Sequence, residues 1–239
     1  MIEELKDFHE NNSNVINQKY PDIFDVKWLM DESKWPYFHL SALDNQPYKE
    51  MHAEAEKLLD KFHMHREKYG NGWKSLTLHG LTEDTQSLEQ YGERKDVLEQ
   101  LDWTWVADEC PITKKFLTDV WPAEFFNRVR FMLLEPGGYI LPHQDRPDEE
   151  KRLSVANISL NNPDGCYFAM KGHGRVPFKD EGSAFLMDIS NVHSVWNQSN
   201  KPRIHMIIHY ELGRRTRDAF YTLRKSFYTN KDRLNEGLE

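Results

Sequence analysis

Hydrophobic and polar positions follow two rhythms along this chain, and the change falls near residue 126. Before it, Met51, Ala55, Leu58, Leu59 and Phe62 recur at the spacing of one helix face, which predicts a helix over 47–68 ended by Gly70 and Gly72. A second helix is expected over 85–100. A third is expected from Pro111, suited to a first helical turn, to Trp121, where Pro122 stops it. Residues 1–45 are polar and aromatic without a clear period. After 126 come short apolar runs at 129–134, 139–141, 153–160, 166–170, 182–189 and 204–210, separated by turn formers such as Pro136-Gly137-Gly138. Many short strands with tight turns predict a mainly β fold with flanking helices (α+β), of the jelly-roll kind. Ala219, Leu223 and Phe227 then recur every four residues, so a docked or dimer-forming helix is expected after 213. At 239 residues this reads as one domain: a largely helical part over 1–125 packed on the sheet, a β core over 126–212, and a helical extension over 213–239.

Charge and cysteine content narrow the setting. A net charge of −8 gives no broad attraction to nucleic acid or anionic membrane, so neither is expected as a partner. Cys110 and Cys166 are the only cysteines, which excludes a disulfide framework and suits a reducing compartment. The first residues lack the basic and apolar regions of a secretory signal, and no apolar run approaches the length of a membrane span. A cytoplasmic protein is the expectation, and oligomeric state is open.

The chemistry concentrates in His143-Gln144-Asp145, His193 and Arg203. Alternate side chains of a strand share a face, so His143 and Asp145 can address one ion while Gln144 points away. With His193 they make the two-imidazole, one-carboxylate set that holds Fe(II) on one face and leaves positions free for a cosubstrate and O₂. Arg203 opens an apolar, β-branched run, where a guanidinium is costly unless it meets an anion. The far carboxylate of 2-oxoglutarate would be such an anion; an ion pair with an acidic neighbour such as Asp188 is the alternative.

The stretches 127–145 (NRVRFMLLEPGGYILPHQD) and 188–203 (DISNVHSVWNQSNKPR) resemble the aspartyl/asparaginyl β-hydroxylase branch of the 2-oxoglutarate/Fe(II) oxygenases. The resemblance covers roughly residues 100–212, and Asp-x-Ser-x-x-His-x-Val-Trp-Asn around His193 is its most specific part. It implies a double-stranded β-helix and hydroxylation coupled to decarboxylation of 2-oxoglutarate. The animal aspartyl hydroxylases of the branch have glycine where this chain has Asp145, so here the carboxylate triad is complete. Their serine and histidine near the cosubstrate correspond to Met132 and Asn157, of which only Asn157 can donate a hydrogen bond.

Other side chains have two readings each. His205 shares Arg203's strand parity and either lines the cosubstrate pocket or is a satisfied core histidine; in an extended strand it lies roughly 13 Å from His209, so the two cannot share an ion. Arg130 either faces inward to bind an anionic group on an amino-acid, peptide or protein substrate, or is a surface arginine. Trp196 and Asn197 either shape the substrate pocket or pack structurally. His63 and His65, two apart in a helical pattern, diverge and are expected at the surface. Three rival functions stay open: a Zn(II)- or Mn(II)-dependent cupin acting as isomerase or hydrolase, a metal-stabilised binding module, and a nucleic-acid demethylase, the last disfavoured by the acidic balance.

Overall fold

In the computed structural model, residues 2–15, 18–86, 97–145, 153 and 155–236 are described. The chain forms one sheet path in the order β1-β9-β6-β11-β5-β10-β7-β8, with β3 also on β5 and flanked by β2 and β4. In chain order the strands are β1 (Tyr37–His39), β2 (His63–Met64), β3 (Gly70–Gly80), β4 (Asp102–Trp103), β5 (Phe125–His143), β6 (Val155–Ser159), β7 (Cys166–Met170), β8 (Gly174–Arg175), β9 (Ser183–Met187), β10 (His193–Asn197) and β11 (Arg203–Glu211).

β5 is the strand on which the architecture turns. Its first part, 125–134, pairs with β11, whereas 139–143 pairs with β10. The bend lies at Pro136-Gly137-Gly138: Gly137 has φ 72°, and a side chain on Gly138 would meet the Glu135 carbonyl at 2.8 Å. From there successive strands alternate between two faces. The first part of β5, then β6, β9 and β11 form one sheet; its second part, with β7, β8 and β10, forms the other. Antiparallel strands wound alternately into two facing sheets are a double-stranded β-helix.

Side-chain alternation fills two cores. Between the sheets lie Trp73, Met132, Leu134, Ile140, Phe168, Phe178, Phe185, Met187 and Val195. Behind the larger sheet, Phe131, Leu133, Ile158, Ile204, Met206 and Ile208 pack against the helices. That sheet is buried on both faces, which explains its near-continuous apolar runs.

The helices are α1 (Ile2–Asn11), α2 (Tyr48–Glu56), α3 (Trp105–Glu109), α4 (Pro111–Lys115) and α5 (Thr216–Asn235). The expected 111–121 helix is α4 continued by a wider turn over Phe116–Val120. α5 docks through Ala219, Leu223 and Phe227, the spacing its sequence displays. Among the described residues of 1–125 helical elements outnumber strands, but the region also contributes strands to the sheet. β1 to β4 lie there, and the 47–68 helix stops at Glu56 because the chain turns extended at Phe62 to pair His63–Met64 with β3. The helix expected over 85–100 falls mostly outside the described residues. Cys110 and Cys166 are free and buried. No helix among the described residues is long and apolar enough to cross a membrane.

Phe227 is fully buried, with Tyr20, Phe24, Trp28 and Tyr228 in ring contact around it. Phe227→Ala should therefore lower the free energy of urea unfolding by about 3–5 kcal/mol.

Candidate active site

His143 and His193 are directly opposed across the β5–β10 pair, with ring centroids 4.4 Å apart. Each ring is set by its own chain: Nδ1 of His143 lies 2.8 Å from the Leu141 carbonyl and Nδ1 of His193 lies 2.8 Å from the Asn191 carbonyl. A carbonyl only accepts, so each Nδ1 carries the proton and each Nε2 keeps a free lone pair, the tautomer a metal requires. Burial, with His143 alongside, lowers the His193 pKa to about 4, which keeps that ring neutral. Asp145 is fixed by its backbone N–H to the Ile189 carbonyl at 3.0 Å. One donor atom each from His143, Asp145 and His193 lies within 4.8 Å of the others, so the three can hold one cation.

The sequence motif around His193 is accounted for residue by residue. Asp188 accepts from the backbone N–H and hydroxyl of Ser190, which folds the turn that delivers His193. It is thereby occupied locally, and among the described residues no acidic side chain pairs with Arg203. Asn197 donates to the carbonyls of Leu134, Glu135 and Lys201, tying β10 to the bend of β5. Trp196 is a correction to the substrate-pocket expectation. His193 and Val195 line the cavity, so strand alternation turns Ser194 and Trp196 outward, where both meet His9 of α1.

Arg203 is 3 % exposed; its Nη2 lies 2.6 Å from Nδ1 of His205, and its Nε has no acceptor among the described residues. Burial lowers its pKa only to about 10, so the guanidinium stays charged at neutral pH. His205 is fully buried and held neutral by burial and by Arg203; its Nδ1 also lies 2.8 Å from Oδ1 of Asn157. It sits behind Arg203 as a support, while Arg203 and Asn157 line the cavity. Met132 lines it too and offers no donor.

That cavity, of about 230 Å³, is lined by His143, Asp145 and His193 together with Arg66, Arg128, Arg130 and Arg203. Arg130 is inward and 5 % exposed, which settles its two readings against the surface.

His65 is the residue sequence reasoning misplaced. It is 2 % exposed, lines the same cavity, stands edge-on to Trp73 and has Nδ1 3.0 Å from the Ser75 hydroxyl. The alternation of Trp73 to Leu78, preceded by Gly70-Asn71-Gly72, was the signal for a hairpin there.

Residues 41–211, more than two thirds of the chain, match the family model of the aspartyl/asparaginyl β-hydroxylases, and the chain belongs to that family. It is therefore an enzyme of the hydroxylase type within the 2-oxoglutarate/Fe(II) oxygenases, the class whose cofactors are Fe(II), 2-oxoglutarate and O₂. No curated protein matches the sequence. Similar solved structures include a prolyl-4-hydroxylase of Pseudomonas putida (16 % identity, TM-score 0.41, covering 74 % of this chain and 91 % of that one). Another is a 2OG-Fe(II) oxygenase family oxidoreductase of Burkholderia pseudomallei (13 %, TM-score 0.44, 67 % and 77 %). A third is the collagen prolyl hydroxylase of Paramecium Bursaria Chlorella virus-1 (12 %, TM-score 0.39, 72 % and 94 %).

Burial lowers the pKa of His65 to about 2 and that of His79 to about 4, against 6.5 for exposed histidine. Both bind protons more readily when unfolded, so stability should fall as pH drops below 6.5, to pH 4 for His79 and further for His65. Urea midpoints measured between pH 7 and 4 should show a shallower decline in His65→Gln than in the wild type.

Proposed function

We propose that this protein is a 2-oxoglutarate- and Fe(II)-dependent dioxygenase that hydroxylates a C–H bond of an amino-acid, peptide or protein substrate, releasing succinate and CO₂. The observation that carries this reading is one cavity in which a two-histidine, one-aspartate group stands beside a buried guanidinium with a donor to spare.

The donor set fits the metal: His143 and His193 present Nε2 lone pairs, and Asp145 adds one negative charge, the set suited to Fe(II) with open positions. Bound there, Fe(II) supplies, with 2-oxoglutarate and O₂, the oxidising equivalents that convert C–H to C–OH. Arg203 would grip the far carboxylate of 2-oxoglutarate, satisfying its orphaned Nε, and neutral His205 holds it in place without adding a competing charge. Asn157 offers an amide to the same ligand in place of the missing hydroxyl at Met132. Trp73, Phe168, Met187 and Val195 wall the site with apolar surface, limiting water around the reacting C–H bond. Asp145 occupies the position that a halogenating site leaves open for chloride, which favours hydroxylation. Arg130 faces the space left for substrate. Two buried free thiols are compatible with work in the cytoplasm.

With Fe(II), ascorbate, 2-oxoglutarate and O₂, the purified protein should form succinate, even if slowly without a substrate. Asp145→Ala should abolish this, and Arg203→Met should raise the KM for 2-oxoglutarate about 30-fold or more. Retention of bound metal with no 2-oxoglutarate turnover would point instead to a non-oxidative cupin.

A further inference from the structure

Arg203 and Arg130 line the same cavity, yet they are well separated along it. Arg203 is the cross-strand partner of Leu134, four residues from Arg130 on β5. That backbone offset is about 13 Å, longer than a five-carbon diacid. With Arg203 held at His205 and Arg130 at the Gln86 carbonyl, a 2-oxoglutarate anchored on Arg203 does not account for Arg130.

The surroundings of Arg130 make this costly. Its Nη1 donates to the Gln86 carbonyl at 3.0 Å, a neutral acceptor that also takes Nη1 of Arg128 at 2.6 Å. Its Nε is buried with no acceptor among the described residues. Asp145 is the single acidic side chain among the described lining residues, and it lies 3.5 Å from Arg66. Burial first, then Arg128 and Arg66, pull the Arg130 pKa well down. Asp145 offsets this only in part, because it also serves Arg66 and the metal group, so among the described residues Arg130 is a buried cation short of counter-charge, which opposes folding unless an anion joins it.

Resting on the oxygenase reading above, we infer that Arg130, with Arg128 and Arg66 beside it, forms a second oxyanion subsite that binds a carboxylate or phosphate group carried on a compact part of the substrate. The subsite's depth sets the size limit. Arg130 is 5 % exposed in a cavity of about 230 Å³, below the ~300–1,000 Å³ of ordinary ligand pockets, so the part of the substrate that carries the acid group into it is compact. The acid group anchors one end of the substrate, and its distance from the metal group then selects which carbon is presented.

The test uses protein loaded with Mn(II) and 2-oxoglutarate, so that the metal group and Arg203 are already engaged. Thermal unfolding is followed in sodium sulfate, sodium acetate and sodium chloride at equal ionic strength. Beyond the general salt effect read in Arg130→Met, sulfate or acetate should raise the wild-type Tm above the chloride value by about 3 °C or more, an excess in sulfate alone indicating a phosphate-like group and in acetate alone a carboxylate. Arg130→Met should unfold at a higher Tm than wild type in chloride, because a lone buried charge is gone, and should lose the anion-specific rise; Arg130→Lys should keep part of it. If the rise in wild type is no larger than in Arg130→Met, or if Arg130→Met unfolds earlier in chloride, Arg130 is a structural anchor for Gln86 and the inference is overturned. Failure of 2-oxoglutarate itself to shift Tm of the Mn(II)-loaded protein would count against the oxygenase reading separately, since that shift depends on Arg203 and not on Arg130.

Discussion

The opposition of His143 and His193 across two antiparallel strands is the constraint around which this molecule is arranged. It requires β5 to leave one sheet and enter the other, because only its second part can pair with β10 while its first part pairs with β11. The bend at Gly137 and Gly138 permits that passage, and Asn197 ties it down from the opposite strand. The Asp188–Ser190 turn then sets where β10 begins. Each device is a local hydrogen bond or a backbone freedom, and together they bring two imidazoles and a carboxylate to one point.

Electrostatics divides the cavity into two regions. His143, Asp145 and His193 form the metal group, four guanidinium groups supply the positive charge, and apolar side chains fill the wall between them. Neutral His65 and His205, held so by burial, support the cationic walls without adding charge. Such an interior is poorly suited to remaining free of anions, since buried cations without counter-charges oppose folding. A site of this kind trades stability for recognition, and the acids it admits complete its hydrogen bonding.

The metal group was legible because strand parity and residue type coincide: His143 and Asp145 share a face, and His193 sits in a motif whose polar residues are all used by turns. Arg203 was legible from its cost, a charge inside an apolar run. The double-stranded β-helix followed from strand count and the family resemblance, and α5 from its four-residue spacing. What escaped was carried by non-local pairing. Leu58 and Phe62 fit a helix face, yet the chain is extended by Phe62 because β3 offers His63–Met64 an edge, a contact no local period encodes. His65 was misplaced by the same error. Trp196 adjoins the metal ligand in sequence but faces α1, since alternation along β10 outweighs proximity.

The convergence of His143, Asp145 and His193 on one ion is tested most directly by anaerobic titration of the protein with Fe(II) in the presence of 2-oxoglutarate, followed by visible absorption. A broad metal-to-ligand charge-transfer band should rise to saturation at one iron per chain and be lost in His193→Ala and Asp145→Ala. No band, or a band unchanged in both variants, would contradict the account.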